Sequence, residues 1–256
     1  MAARKLAVQQ SLTAGLDSTW KQIIGGSQDS VDIAVYDHVN GETAHYANTA
    51  ATFNTASIVK LSILEDMLLQ DQKQGETLTG SQLAEAQPMI ENSDNDAATA
   101  LWNLDGGTGA LDSFFRAAGA TQTAAGQADY WGLTQTTAPD QLKIVDEIAY
   151  PSLLNTGSVS TATNLLDNVE PDQAWGVSSG VPSGVSVQLK DGWLQGSDAA
   201  SGSTWDVNSI GHVHGDGQDY TIAVLTANDA TEQDGIDTIQ SLSAATWNAL
   251  SAVLKS

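Results

Sequence analysis

The sequence predicts an α+β fold: an antiparallel five-stranded sheet built from both termini, with an all-helical lobe inserted between its halves. Three observations predict it. Segments of alternating apolar residues lie towards the two ends of the chain. Runs with helical spacing fill the middle. No internal repeat or low-complexity tract divides the 256 residues further, so a single domain with two lobes is expected. The sheet lobe takes residues 1–50 plus 181–256, and the helical lobe takes residues 51–180.

The elements follow in order. Leu6 to Ile24 has helical spacing. Val31 to Tyr36 alternates, Val39-Asn40-Gly41 carries the Asn-Gly turn signal, and Thr43 to Tyr46 returns, which makes a hairpin. Ser57 to Gln72 reads as a helix apolar around most of its circumference, hence buried. Further helical runs occupy roughly 80–90, 95–104, 109–118, 137–150 and 158–168. Trp175 to Gly184 is rich in Gly, Ser and Pro and reads as a loop. Strands are expected at Val185–Lys190, Thr204–Val213 and Tyr220–Thr226, the last two joined at His214-Gly215-Asp216-Gly217. A closing amphipathic helix runs from Gly235 to Lys255.

Composition excludes some partners. The 31 acidic residues against 9 basic ones give a net charge of −22. Phosphate is repelled by such a surface, which excludes nucleic acid and anionic membranes as natural partners. Low lysine and high aspartate also fit a high-salt habitat. Without cysteine there is no disulfide, no thiolate nucleophile and no zinc–thiolate site. No apolar run reaches the ~20 residues that span a bilayer. The opening Met1 to Val8 lacks the apolar stretch of a leader.

Three short strings carry chemistry. The first is Ser57-Ile58-Val59-Lys60, S-x-x-K at the start of the buried helix. Positions i and i+3 share a helix face, so hydroxyl and amine can touch. Burial favours the neutral amine, which makes Lys60 a general base beside a nucleophile. The second is Ser93-Asp94-Asn95, between two helical runs. It supplies a second hydroxyl for proton relay and an amide for a substrate carbonyl. The third is Lys190-Asp191-Gly192-Trp193, which ends an alternating run. Its lysine brings positive charge to a cleft, and its glycine lets a substrate backbone lie close against the strand edge. Alone, each string also fits a cap, a solvated lysine or a turn. Together they are S-x-x-K, S-D-N and a K-x-G variant in order.

In these motifs the chain resembles the class A β-lactamase and penicillin-binding serine hydrolase superfamily, in its β-lactamase-like branch, from about Val31 onward. The resemblance implies a β-lactamase/transpeptidase-like fold and an acyl-enzyme on Ser57, with Lys60 as its base partner. It implies that Ser93 passes a proton to the leaving group and that Lys190 is the cleft lysine. Asn95 becomes the substrate-amide ligand, Asp94 a buttress of the turn, and the backbone N–H groups of Ser57 and Trp193 the oxyanion hole. Asp191, Gly192, Trp193 and His212 are further substrate contacts. A secreted or cell-envelope location, with any leader removed, is implied as well.

The chain departs from the class A pattern in four places. Between Gly119 and Pro139 there is no glutamate to activate a deacylating water, and Asp129 is the one carboxylate that can substitute. Ser57 and Ser93 are 36 positions apart, closer than usual. Asp191 replaces the usual Thr or Ser. Both arginines, Arg4 and Arg116, lie away from the last strands, so the anion-binding arginine is missing and His212 or His214 is left to contribute. The last two features argue against anionic penicillins as favoured substrates.

Other signals are weaker. Gly176-Val177-Ser178-Ser179-Gly180 matches G-x-S-x-G, but a loop leading into a strand is the wrong setting. His212-Val213-His214 has metal-pair spacing with no third ligand evident, so no metal and no cofactor is expected. Trp131, Trp175, Trp193 and Trp205 are candidates to line the cleft. The expectation is therefore a monomeric serine acyl-transfer hydrolase acting on an amide, ester or β-lactam carbonyl of a small molecule or cell-wall peptide. Two alternatives stand beside it: a single-turnover or non-catalytic penicillin- or peptidoglycan-binding module, and a true β-lactamase with a different deacylating base.

Overall fold

The computed structural model describes residues 15–25, 29–196 and 204–253. A five-stranded antiparallel sheet has the order β2-β1-β7-β6-β5, with β1 Ser30–Asp37, β2 Glu42–Ala47, β5 Ser186–Gln195, β6 Trp205–Gly215 and β7 Gln218–Asp229. The N-terminal hairpin β1–β2 joins the C-terminal meander through β1–β7 pairing, with Ser30 opposite Ala227 and Asp37 opposite Tyr220. The expected sheet assembled from both ends is therefore present. β6 and β7 meet at a two-residue Asp216-Gly217 turn with both φ angles positive (50° and 79°), the conformation that Asp-Gly favours.

Strand alternation sorts the two faces. Val31, Ile33 and Val35 pack with Ile222 and Val224 against Ile239, Leu242, Trp247 and Leu250 of α8 (Glu232–Val253). Helix α1 (residues 15–24) adds Leu16, Trp20 and Ile24 to this layer, and the Trp20 indole donates to Thr246 Oγ1 at 3.1 Å. The predicted beginning of α1, residues 6–14, and the end of α8 at Lys255 lie outside the described residues. The other face offers Ala34, Ile210, Ala223 and Leu225 to the helical lobe.

That lobe is built around α2 (Val59–Lys73), which is buried from Val59 to Leu69. Around it stand α3 (Gly80–Glu91), α4 (Asn95–Asp105), α5 (Gly107–Ala118), α6 (Ala138–Ala149) and α7 (Thr156–Leu166). Gly106 ends α4 and begins α5 at φ 111°, a conformation that costs a side chain dearly. The burial of α2 includes acids that its apolar pattern conceals. Glu65 is fully enclosed and neither of its oxygens has a hydrogen-bond partner. Burial, then Glu147 beside it, pushes its pKa well above the usual value. Asp66 and Asp105 form a second buried pair, with burial and then the Asp66 charge lifting Asp105 to about 9.

Candidate active site

A short pair of strands, β3 (Phe53–Asn54) and β4 (Gln135–Thr136), sets the entrance to α2. The Thr55 N–H donates to Thr134 O at 2.8 Å. Asn208, on β6, donates from its amide to Asn54 O at 2.9 Å and Thr55 O at 3.0 Å. This segment leads into a tight three-residue turn, Ala56–Ile58, that continues directly as α2. Ser57 thus stands one turn ahead of the α-helix rather than inside it. Ala56 holds φ 48°, and Ser93 in the second motif holds φ 57°. Left-handed backbone at two non-glycine residues is strain of the kind that clusters at functional sites.

The amines converge on Ser93. Lys60 Nζ lies 2.6 Å from Ser93 O, 2.7 Å from Asn95 Oδ1 and 3.1 Å from Ser93 Oγ. Lys190 Nζ reaches the same hydroxyl at 3.0 Å. Both lysines are fully buried. Burial first, then the Lys190 charge, lowers Lys60 to about 7, against a small upward pull from Asp94. Burial lowers Lys190 to about 8, opposed by Asp191. A neutral Lys60 amine has two N–H groups and one lone pair. The two carbonyl acceptors take the N–H groups, which leaves the lone pair for a hydroxyl.

The expected hydrogen bond between Ser57 and Lys60 is not formed. Among the described residues the Ser57 hydroxyl has no side-chain hydrogen-bond partner, because Lys60 turns to Ser93 and Asn95 instead. The two residues nevertheless share one environment. Ser57, Asn95 and Trp131 line a single cleft of about 330 Å³. Lys60 touches two of those three, bonding Asn95 and lying 4.9 Å beneath the Trp131 ring. Trp131 is held by its indole N–H on Thr99 Oγ1 at 3.1 Å.

The third motif lies in the middle of β5, not at its end. Lys190 and Gly192 face the helical lobe. A Cβ on Gly192 would stand 2.6 Å from Ser57 N and 2.8 Å from Ile58 N. The glycine therefore admits the Ser57 turn itself. Asp191 also differs from expectation. It points through the sheet, fully buried, and accepts from the Trp175 N–H at 3.1 Å and from Ser209. Burial raises it to about 8. It presents no carboxylate to the cleft. Trp193 borders the cleft, while its ring meets Trp175 at 6.0 Å in the α8 layer.

His212 is the clearest displacement. It lies four residues along β6 from Asn208, roughly 13 Å at strand spacing. Its ring bonds Asp219 at 2.8 Å and stacks on His214 at 4.8 Å between ring centres. Tyr150 also donates to Asp219, at 2.5 Å. His212 is a member of this separate polar cluster, so it does not bind substrate beside Ser57. Asp129 does line the cleft and is exposed. Trp205 packs in the α8 layer instead. Ser178 of the G-x-S-x-G string donates to Ala174 O and Trp175 O in a loop turn. Asn208, Thr99, Tyr130 and Leu133 belong to the site or its support without having a motif to announce them. Among the described residues no group of three His, Asp or Glu side chains is placed to hold a metal.

Comparison with known proteins decides the family. A family model described as the beta-lactamase enzyme family matches residues 65–250. The chain belongs to the beta-lactamase enzyme family. The matched span includes Ser93 and Lys190 and begins five residues after Lys60. Among solved structures, a class A beta-lactamase from Bacteroides cellulosilyticus superposes with TM-score 0.80 over 94% of this chain and 99% of its own, at 17% identity. PBP-A does so with TM-score 0.78 over 93% and 96%, at 18% identity. At these identities the likeness shows the fold, and that fold is the expected five-stranded sheet with a helical region. A curated relative in Mycobacterium tuberculosis, named "Putative lipoprotein LppW", is 28% identical over 217 residues, 79% of this chain. The chain spans 65% of that relative's length.

Proposed function

We propose that this member of the beta-lactamase enzyme family is a serine acyl-transfer hydrolase that forms an acyl-enzyme on Ser57. The observation that carries the reading is the convergence of two buried amines, Lys60 and Lys190, and the Asn95 amide around Ser93, at the wall of the cleft that Ser57 lines. The Ser57 hydroxyl rotates toward the Lys60 lone pair and loses its proton to it as Oγ attacks an amide, ester or β-lactam carbonyl. The N–H groups of Ser57 and Trp193 receive the oxyanion. Lys60 returns the proton through Ser93 to the departing nitrogen or oxygen, with Lys190 holding Ser93 in line. Asn95 presents its NH₂ group to a substrate carbonyl.

Removal of the acyl group is the slow half of the cycle. The loop that carries the deacylating glutamate in class A enzymes here places an indole over Lys60. Asp129, the sole carboxylate of residues 119–139, is exposed at the rim. Adducts with β-lactams are therefore long-lived, and a single-turnover binding protein is the rival reading. The lipoprotein name of the mycobacterial relative suggests a cell-envelope location, and the family suggests a small-molecule or cell-wall peptide substrate. No described helix is long and apolar enough to cross a membrane.

Intact mass followed over time after mixing with penicillin G, and in parallel with a fluorophosphonate, tests this. A +1 adduct on the wild type that persists for many minutes, and is absent from Ser57→Ala, is expected. Labelling that survives in Ser57→Ala refutes the assignment.

A further inference from the structure

The cleft carries a pattern of charge and apolar surface that the acyl-transfer chemistry does not use. Its outer wall is Tyr130, Trp131, Leu133 and Leu194, facing Ser57 across about 330 Å³. Tyr130 is 67% exposed and Leu133 46% exposed, so both present apolar surface at the mouth. Among the described residues no lysine or arginine lines the space. Lys60 and Lys190 are sealed beneath it at 0% exposure, already engaged with Ser93. Among the described residues that line the space the one charged group is the Asp129 carboxylate, which makes no hydrogen bond or ion pair with them.

We infer that the cleft selects acyl donors carrying a cationic group on an apolar stem, an aliphatic ammonium above all, and discriminates against donors bearing a carboxylate. This deepens the acyl-transfer reading and rests on it for the chemistry. Three physical terms act together. Aromatic faces attract a cation through their quadrupoles. The Asp129 carboxylate adds a direct charge partner at the rim. The net charge of −22 surrounds the mouth with a field that draws cations and repels anions. An anion meets the reverse of the last two, and no accessible basic side chain lining the cleft among the described residues offsets them. The apolar wall receives the methylene stem, as long ammonium side chains bury carbon and keep the head in water.

A matched series separates charge from shape: the thiobenzyl esters of N-acetyl-lysine, N-acetyl-norleucine and N-acetyl-glutamate. The kcat/KM order lysine, then norleucine, then glutamate is expected, with the lysine advantage shrinking at high salt. Asp129→Asn reduces the lysine-to-norleucine ratio by about 2- to 5-fold, the size of an exposed ion pair. Asp129→Lys reverses the order of lysine and glutamate. The corresponding N-acetyl methylamides are titrated calorimetrically into Ser57→Ala, where the same order of affinity is expected without any chemistry. Charge order in the methylamides without Ser57-dependent ester turnover sinks the acyl-transfer reading and leaves this inference standing. Glutamate binding as well as lysine, a ratio indifferent to Asp129, or no measurable binding of the lysine methylamide overturns it.

Discussion

At the level of single residues, Lys60 carries the largest consequence. An amine lowered to about 7 is protonated, and useless as a base, below that pH. The acylation rate constant should therefore rise with pH through about 7 and then level off. Stopped-flow acylation from pH 5 to 9 checks this; a profile flat across that range would remove Lys60 from the role of base. Gly192 carries a second consequence. Its Cα approaches the Ser57 turn so closely that an added methyl would meet Ser57 N at 2.6 Å, with backbone on both sides and no flexible side chain to yield. Gly192→Ala should slow acylation at least tenfold and lower Tm. Unchanged acylation would show that the turn has room to move.

The scale of elements explains how Ser93 is held. Asp94 is the N-cap of α4 and accepts the Ala97 N–H at 2.8 Å. Its negative charge also raises Lys60 slightly. Asp94→Ala should cost about 1 kcal/mol of stability, as the loss of a cap does. It should also move the pH–acylation midpoint downward, because the amine loses a favourable neighbour. A merely structural Asp94 would change the denaturation midpoint and leave the pH profile in place. The same scale shows what pattern reading reaches. Strands with alternating apolar residues and helices with caps announce themselves, so the boundaries of α3 to α7 lie within about two residues of their expected positions. The apolar alternation predicts that β5 stops at Lys190. It continues because Asp191 finds partners on the buried face and Gly192 fits against the Ser57 turn. Lys60, Ser93 and Lys190 were legible because chemistry demands their types at their spacing. His212 was misplaced because a strand tells which face a residue takes, not how far along the sheet it sits from a site. Asn208 and Tyr130 carried no signal at all, since their importance exists only through contacts distant in sequence.

For the whole molecule, titration sets the preferred pH. Burial raises Glu65, Asp105 (to about 9), Asp191 (to about 8) and Asp229 (to about 7) above their unfolded values. Each binds its proton more tightly when folded, so each contributes stability at acidic pH that is lost as pH rises above the ordinary carboxylate range. His45, raised by its bond to Asp32, acts in the same direction. His212, lowered by burial, acts against them. Lys60 and Lys190 add a slope only above about 7, where the folded amines begin to lose protons before the unfolded ones. The carboxyls outnumber the opposing group between pH 5 and 7, and protonation there also relieves the self-repulsion of a chain at −22. Tm by calorimetry should be higher at pH 5 than at pH 7, and salt should raise it more at pH 7. A higher Tm at pH 7 than at pH 5 would show that the buried acids are not protonated in the folded state.

The indole poised above Lys60 has an optical consequence. A charge appearing 4.9 Å from the Trp131 ring perturbs its excited state, so the emission of this one tryptophan should report whether the amine beneath it is protonated. The difference between wild-type and Trp131→Phe emission, followed against pH with no substrate present, should titrate near 7 and vanish in Lys60→Met. The protein thereby carries a built-in gauge of the amine proposed as its general base.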